Sequence, residues 1–448
     1  MPTSPTRPER SKAPSAVSFY LLLILIALVF TSCGGAHPPD ISADVARIRA
    51  IDNHAHPVTV DPLDRGFDAL PVDNMEPASD PLALRPGAPG VLEAWKALYG
   101  YNFDDLKPEH ANELKAKKQR RMDEKGEGYP AWVLDQAGVD TMLANRVEMG
   151  RGVQPPRFRW VAYADALIFP LDNSDLAAKN PDRKAFFTLE DVLRQRYLKE
   201  AGMASLPSDL AGYLTKVVTP TLERHRQGGA LGEKFEAAYL RTLEFDKVDR
   251  TAAEKVYSQF HGRTSVPGDQ YKTLQDFLFR YVASECGRLG MAVHIHTMAG
   301  AGSYFDVSGA NPLNLESVLN DPDLRKTKFV MVHGGWPFIR EITPLLEKPN
   351  AYLDISGQTL QLTPAMLARN LRSWLEWVPE KVLFGTDAYP YSEELGWEVS
   401  TWIATRRGRQ ALTIALTAMM RDGEISRERA LELANMVLRD NARKLYGF

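Results

Sequence analysis

Histidines that close short apolar runs are the feature of this chain that most restricts its fold. His54 and His56 end the first such run, and in a β-strand two side chains that are two residues apart lie on the same face. His296 and His333 end two later runs, and Asp387 ends a fourth. Imidazole and carboxylate groups suit Zn²⁺ or a similar divalent ion. The pattern therefore predicts parallel strands whose ends bring these side chains together as a metal site.

Eight strand-like runs alternate with amphipathic segments along the chain. The runs cover residues 48–56, 139–146, 158–163, 230–236, 291–296, 328–333, 351–356 and 382–386. Segments such as 271–289, 312–319 and 364–377 lie between them and carry apolar residues at helical spacing. This order predicts an α/β fold, a (β/α)8 TIM barrel, in which functional residues gather at the carboxyl ends of the strands.

Two insertions longer than ordinary loops interrupt the predicted barrel. Residues 58–136 follow the first strand, and residues 189–229, which look helical, follow the third. Because both follow strand ends, we expect them to cover the catalytic face and to shape the substrate pocket. Contacts between subunits are the alternative role, and the sequence leaves open both that choice and the oligomeric state.

The N-terminal 33 residues have the character of a targeting segment. Arg7, Arg10 and Lys12 precede the apolar run 17–30, which is too short for an ordinary membrane span and is followed by small residues and Cys33. The segment resembles a bacterial lipoprotein signal peptide, which implies that Cys33 carries lipid. We therefore expect a signal peptide over 1–33, a linker over 34–44 and the barrel over 45–448. The predicted location is the bacterial cell envelope outside the cytoplasm, with a secreted, periplasmic or signal-anchored form as the alternative.

Composition narrows the range of partners. The chain has 448 residues, of which 44% are hydrophobic, and its 54 basic and 57 acidic residues give a formal net charge of −3. This balance gives no reason to expect nucleic acid as a partner. Cys33 and Cys286 are the only cysteines, so a lipidated Cys33 excludes a disulfide framework. We expect a small-molecule substrate, and contact with a membrane only through the N-terminal lipid anchor.

The ordered set of strand-end residues resembles a known family. Asp52-x-His54-x-His56, His296, His333 and the sequence Phe-Gly-Thr-Asp at 384–387 are similar, in this order, to the amidohydrolase superfamily. The best fit is with its amidohydrolase-related branch, also called amidohydrolase 2, which shows stretches like residues 310–313, 333–338 and 441–447. The resemblance covers 45–448, insertions excepted, and implies the barrel fold and a metal-dependent activity.

The resemblance also implies a role for each residue of the set. His54, His56, His296 and Asp387 would bind the metal, most readily zinc, and Asp387 would also take a proton from the metal-activated water. His333 would stand beside the metal, as a further ligand or to polarise the substrate carbonyl. His294 shares a face with His296 but lies one pleat deeper in the strand, so we expect an interior histidine or a partner of a ligand.

Lys234 decides the expected number of metal ions. In binuclear amidohydrolases a lysine on the fourth strand is carboxylated and bridges two metals, and Lys234 lies on the fourth predicted strand. The alternative is a lysine paired with a nearby glutamate or with a substrate carboxylate, and we expect this pairing and one metal per chain. Arg146, Tyr239 and Arg241 lie at or just beyond strand ends, where they could bind an anionic substrate or form salt bridges.

The predicted function is hydrolysis of an amide- or ester-type bond in a small molecule by a metal-activated water. Members of the same branch also use this metal site for non-oxidative decarboxylation of aromatic or muconate-type acids, which gives the first alternative. A catalytically inactive binding lipoprotein is the second.

Overall fold

The computed structural model describes Met1 and residues 40–61, 63–64, 66–72, 75 and 81–448. The predicted signal peptide with Cys33, and the predicted linker as far as residue 39, lie outside the described residues. From residue 40 onward the chain forms one compact unit, Asp40–Phe448, which begins with the helix Ser42–Arg47. Within the described part of the chain, no helix is both long enough and apolar enough to span a bilayer.

Eight parallel strands in sequential order form the barrel that the sequence predicts. They are β1 Ala50–Ala55, β2 Val139–Asn145, β3 Phe158–Tyr163, β4 Ala230–Phe235, β5 Ala292–His296, β6 Lys328–Val332, β7 Ala351–Asp354 and β8 Val382–Leu383. Backbone hydrogen bonds from Asn53 to Phe384 (2.9 Å) and from Asp387 to His54 (2.7 Å) join β1 to the segment after β8. The barrel prediction is therefore confirmed.

The helices lie before β1, between the strands, in the two insertions and after β8. They are α1 Ser42–Arg47, α2 Pro89–Tyr99, α3 Pro108–Lys125, α4 Tyr129–Ala137, α5 Asp165–Ile168, α6 Ser174–Ala177, α7 Pro181–Glu200, α8 Leu210–Tyr213, α9 Thr219–Gln227, α10 Ala237–Leu240, α11 Arg250–Phe260, α12 Gly268–Leu289, α13 Glu316–Leu319, α14 Ile339–Leu345, α15 Gln358–Gln361, α16 Pro364–Leu375, α17 Trp397–Arg421, α18 Arg427–Asn435 and α19 Asn441–Tyr446. Short π-helical segments, Leu214–Val218 and Met436–Asp440, connect α8 to α9 and α18 to α19.

Helix α16 illustrates how local sequence sets these elements. Thr363 caps its first turn by accepting a hydrogen bond from the backbone of Met366, and Pro364 occupies the first helical position, where no N–H is needed. Apolar residues at helical spacing, from Leu367 to Leu375, are buried against the rest of the barrel.

Strands β7 and β8 end earlier than predicted, at the points where the chain turns toward the catalytic face. β8 has only two residues instead of the predicted 382–386, and β7 ends at Asp354 rather than at 356. Beyond Leu383 the chain pairs with β1 and then bends, because Asp387 adopts a left-handed backbone conformation with φ 59°. Asp387 is therefore carried by a turn above the strand, which places its side chain over the barrel mouth.

Both predicted insertions carry helices. The first, after β1, contains α2, α3 and α4. The second begins earlier than the predicted residue 189, because all of α5 to α9 lie between the end of β3 at Tyr163 and the start of β4 at Ala230. Segment 66–72 of the first insertion reaches the catalytic face, where Leu70 and Val72 line the cavity described below.

Candidate metal centre

Three ligand atoms from β1 and the turn after β8 form a close triangle at the barrel mouth. Nε2 of His54 lies 3.3 Å from Nε2 of His56, and Oδ1 of Asp387 lies 3.2 Å from the first and 3.4 Å from the second. A tetrahedral zinc site with bonds of 2.0–2.1 Å has ligand–ligand edges of about 3.3 Å. The triangle therefore matches one face of such a site.

The orientation of His54 agrees with this use of its Nε2. Asn145, at the end of β2, places its amide nitrogen 2.8 Å from Nδ1 of His54, and its Oδ1 is buried without a hydrogen-bond partner. When Nε2 binds a metal, Nδ1 carries the proton and needs an acceptor. A half-turn of the Asn145 amide would supply that acceptor from the unpaired oxygen, in exchange for the 3.3 Å hydrogen bond that its nitrogen donates to the carbonyl of Ala55, so the residues present can accommodate a bound cation.

His333 and Asp387 occupy strained backbone positions next to the triangle. Their φ angles of 70° and 59° are the two positive values recorded for residues other than glycine in the described chain. Such conformations persist where the surroundings impose them, and they concentrate at functional sites. His54, His333 and Asp387 bring ligand atoms within 4.8 Å of one another, and Nδ1 of His333 lies 3.8 Å from Oδ2 of Asp387. The structure thus brings His333 to the centre.

Burial keeps most of these histidines neutral, as metal ligands must be. It lowers the pKa of His54 and His333 well below the ordinary value and that of His296 to about 4. His56 differs, because the carboxylates of Asp68 and Asp387 outweigh burial and raise its pKa to about 9. A metal that binds His56 must therefore displace a proton.

Asp387 stays ionised in this environment. Burial acts to raise its pKa, but His333, His54 and His56 together hold that pKa well below the usual range. Its side chain is also the accessible one, being 21% exposed where those of His54 and His56 are 0% and 2% exposed. Solvent and small molecules therefore reach the open side of the triangle past the side chain of Asp387.

His296 lies beside the triangle rather than in it. Its Nε2 donates to the carbonyl of Met298 at 2.8 Å, its Nδ1 faces Oε2 of Glu236 at 3.4 Å, and its ring centroid is 4.7 Å from that of His333. Oε2 of Glu236 has no hydrogen-bond partner in the described part of the protein. His296 and Glu236 thus form a second wall of the site.

Lys234 and His294 lie below the ligands, inside the barrel. Lys234 is fully buried and donates to Oε1 of Glu236, which is the pairing expected for a lysine that does not bridge two metals. Nε2 of His294 lies 2.7 Å from the hydroxyl of Tyr446, which donates in turn to Asn53. His294 is therefore an interior histidine with a protein partner.

The structure does not bring the two candidate arginines to the cavity. Arg146 is buried, and its guanidinium donates to the carbonyls of Pro57 and Glu148 and to Asp64, so it anchors the first insertion. Arg241 donates to Asp276 at 2.6 Å, among other partners. Both are fixed by contacts within the protein and not available as clamps for an anion. Tyr239 does line the cavity, with its ring 4.8 Å from that of His296.

Two functional side chains escaped the sequence-based prediction. Asp68, in the first insertion, lies 2.8 Å from Nδ1 of His56 through Oδ2, and the side chains of both residues are almost fully buried. Asn145 contacts His54 as described above. Asn145 ends a predicted strand and could have been found from that position, whereas Asp68 lies in a segment without periodicity. Asp354, at the end of β7, accepts hydrogen bonds from the backbone of His333 and from Asn53.

A small cavity opens above the ligands. Its volume is about 90 Å³. Apart from the metal-site histidines and Asp387, its walls include Leu70, Val72, Glu236, Tyr239, Met298, Gln361, Tyr389 and Tyr391 and the backbone at 299–301. The substrate group that reacts here would lie among aromatic and apolar side chains and one carboxylate.

Comparisons with known sequences locate this site in a family. The Amidohydro_2 family profile, described as amidohydrolase, matches residues 222–448, which is just over half of the chain. The curated protein fluG of Emericella nidulans is 25% identical over 228 residues, which cover 48% of this chain and 25% of that protein. The chain thus spans about a quarter of the length of this relative.

Solved structures share the fold. A proposed metal-dependent hydrolase from Lactobacillus casei has a TM-score of 0.64 at 18% identity, over 92% of this chain and 98% of that one. The uronate isomerase of Thermotoga maritima has a TM-score of 0.56 at 14% identity, over 91% of this chain and 98% of its own. At these identities the likeness concerns the fold alone. The family profile, together with the eight-stranded barrel and its histidine–aspartate cluster, shows that this chain belongs to the amidohydrolase family of metal-dependent enzymes.

Proposed function

We propose that this protein hydrolyses an amide- or ester-type bond of a small molecule. The observation that carries the proposal is the triangle of His54, His56 and Asp387, whose edges of 3.2–3.4 Å leave one side open to the cavity. A divalent cation held by these residues would supply a water that loses its proton near neutral pH. Zinc is the ion we propose, because two imidazoles and a carboxylate at tetrahedral spacing form a donor set that zinc favours.

Asp387 is the side chain placed to move the proton. Its Oδ1 belongs to the triangle, while Oδ2 lies 3.8 Å from His333 and remains accessible from the cavity. Because the low pKa of Asp387 keeps it ionised, it can hold the attacking water by a hydrogen bond and pass the proton to the leaving group. The neutral imidazole of His333, close beside it, can polarise the substrate carbonyl.

The cavity favours hydrolysis over decarboxylation of an acid. Arg146 and Arg241, the basic side chains expected to bind a substrate carboxylate, are engaged elsewhere. Among the described residues that line the cavity, the acidic side chains are Asp387 and Glu236, and none is a lysine or an arginine that could bind a substrate carboxylate.

Isotope tracing on the zinc-loaded full chain tests this proposal. We expect a panel of small amides and esters to include substrates whose carboxylate product carries ¹⁸O from labelled water. His54→Ala should lose both zinc and turnover, whereas His110→Ala, at a histidine on α3 outside the site, should keep both. Release of CO2 from aromatic or muconate-type acids without ¹⁸O incorporation would replace hydrolysis by decarboxylation.

We also propose that the enzyme works outside the cytoplasm on a lipid anchor at Cys33. The support is the order of basic residues, a short apolar run over 17–30 and a cysteine after small residues. Cell fractionation of a bacterial host should find the wild-type chain in the membrane fraction, labelled by a fatty acid. Cys33→Ser should lose the label, and a labelled Cys33→Ser protein would exclude this anchor.

A further inference from the structure

The imidazole of His56 is held from behind by a carboxylate of the first insertion. Oδ2 of Asp68 lies 2.8 Å from Nδ1 of His56, and the two side chains are 3% and 2% exposed. Because a carboxylate only accepts hydrogen bonds, Nδ1 of His56 must carry the proton. Nε2 of His56 then presents its lone pair to the triangle whenever it is unprotonated.

Asp68 is itself fixed by several donors. The hydroxyl of Tyr163, at the end of β3, donates to Oδ1, and the backbone N–H groups of Ala69 and Leu70 reach the same oxygen at 2.7 and 3.1 Å. A buried carboxylate with donors on both oxygens has little freedom to turn. The barrel and the insertion together set the direction from which Asp68 meets His56.

The same short segment walls the cavity. Leu70 and Val72 line it, and the ring of Phe67 lies 5.8 Å from that of Tyr389, which in turn is 5.6 Å from the ring of His56. Segment 66–72 therefore meets the metal centre through Asp68 and meets the substrate space through its apolar side chains.

We propose that Asp68 is the positioning residue of this metal centre, which orients His56 as a ligand and ties segment 66–72 to the bound cation. The hydrogen bond between Asp68 and His56 thus links the orientation of His56 to the position of the segment that walls the cavity. Coupling between two binding or folding events is reciprocal. A cation at the centre should therefore stabilise segment 66–72, and displacement of the segment should lower the affinity for the cation. This coupling does not depend on which bond the enzyme cleaves.

Metal binding by the full chain tests the proposal without a turnover assay. Zinc affinity is measured by chelator competition at one fixed pH for all variants, because protons compete with the metal for its ligands. Loss of a hydrogen-bond partner behind a ligating histidine typically weakens metal binding by about 10- to 100-fold. We expect a loss of this size in Asp68→Ala. We expect Asp68→Asn, whose amide oxygen can still accept from Nδ1, to recover part of it.

Asp64→Ala is the matched control. Asp64 belongs to the same insertion, but its carboxylate accepts from Arg146 at 2.6 Å and from the backbone of Thr59 at 3.0 Å. We expect its removal to speed hydrogen exchange near Thr59 and Arg146, outside segment 66–72, while zinc affinity stays close to that of the wild type. In the wild type, zinc should slow exchange in peptides that cover 66–72, and Asp68→Ala should lose this zinc-dependent protection.

The visible spectrum of the cobalt-substituted protein separates positioning from loop closure. A ligand that turns changes the cobalt spectrum, so Asp68→Ala should shift it and Asp64→Ala should not. An unchanged spectrum together with wild-type zinc affinity in Asp68→Ala would overturn the proposal, whatever the hydrogen exchange shows. If Asp68→Ala does not fold, Tyr163→Phe is the second test, because it removes one hydrogen-bond donor to Asp68. We expect it to lower zinc affinity a few fold, and an unchanged affinity in this variant would also overturn the proposal.

Discussion

Gly357 offers a direct test of where the cation binds. It follows β7 with φ 68°, and a Cβ added there would lie 3.0 Å from Nδ1 of His333, 3.1 Å from Sδ of Met298 and 3.3 Å from Oδ2 of Asp387. Gly423 has a similar φ of 77°, but a Cβ there would meet no atom within 4 Å. The pair Gly357→Ala and Gly423→Ala therefore separates backbone strain from intrusion into the site.

Backbone strain should affect both variants alike. A left-handed conformation costs an alanine about 1–2 kcal/mol, so each metal-free variant should lose about that much of its free energy of unfolding. Steric intrusion should act on Gly357→Ala alone, because His333 and Asp387 must shift by a few tenths of an ångström. A cation present at 1,000 times its Kd stabilises a protein by about 4.1 kcal/mol, and a tenfold weaker site by about 2.7 kcal/mol.

The zinc-dependent gain in stability is the quantity to compare. We expect Gly423→Ala to keep the wild-type gain, and Gly357→Ala to lose about 1.4 kcal/mol of it for each tenfold fall in affinity. Chemical denaturation with and without zinc measures both values on the full chain. An equal zinc-dependent gain in the two alanine variants would refute the placement of the cation between His54, His56 and Asp387.

Three further predictions concern the ligands and their neighbours. The pKa of His56, about 9 in the folded protein against 6.5 ordinarily, means that its charged form stabilises the metal-free protein. That contribution, on the order of 3 kcal/mol, is complete below about pH 6.5 and is lost as the pH rises through 9. The difference in unfolding free energy between wild type and His56→Gln should therefore shrink over that interval. Elemental analysis should find one zinc per chain in the wild type and in the double variant Lys234→Met/Glu236→Gln, and a fall from two to one would show a bridging role. Asn145→Leu removes the hydrogen-bond partner of His54, so we expect zinc affinity, measured by chelator competition, to fall about 10- to 100-fold.

The sequence predicted that His54, His56 and Asp387 lie together at the barrel mouth because they end apolar runs, and strand periodicity fixes where such residues point. Their role as ligands stays a prediction, and His296, expected to be a ligand on the same ground, lies beside them with its Nε2 on the carbonyl of Met298. The alternation of side chains along a strand also explains why the sequence-based prediction for Arg146 failed. Side chains alternate along a strand, so neighbouring residues point to opposite faces. Asn145 therefore points toward His54, while Arg146 points toward the first insertion and anchors it. Arg146 was predicted as a substrate-binding residue because of its charge, but its strand position directs it away from the site, and the neighbouring Asn145 contacts His54 instead.

Residues that reach the site from an insertion could not be found in this way. Asp68 lies 12 residues beyond His56 in a segment without helical or strand periodicity, so nothing in the sequence fixes its direction. Its position depends on Tyr163 at the end of β3 and on backbone contacts within the insertion. Contacts of this kind are set by packing between distant parts of the chain, which a single sequence does not reveal.

The aspartate of the Asp52-x-His54-x-His56 motif has a role that follows from the barrel's closure. Both oxygens of Asp52 accept from Thr386, from its backbone N–H at 2.9 Å and from its hydroxyl at 2.5 Å. Asn53, the next residue, donates to Asp354, which holds the backbone of His333. Three consecutive residues of β1 thus set three parts of the site: Asp52 sets the turn that carries Asp387, Asn53 sets the turn that carries His333, and His54 supplies a proposed ligand. The motif therefore acts as the common anchor of the centre, and for this reason we expect its non-ligand members to matter for cation binding as well as its histidines.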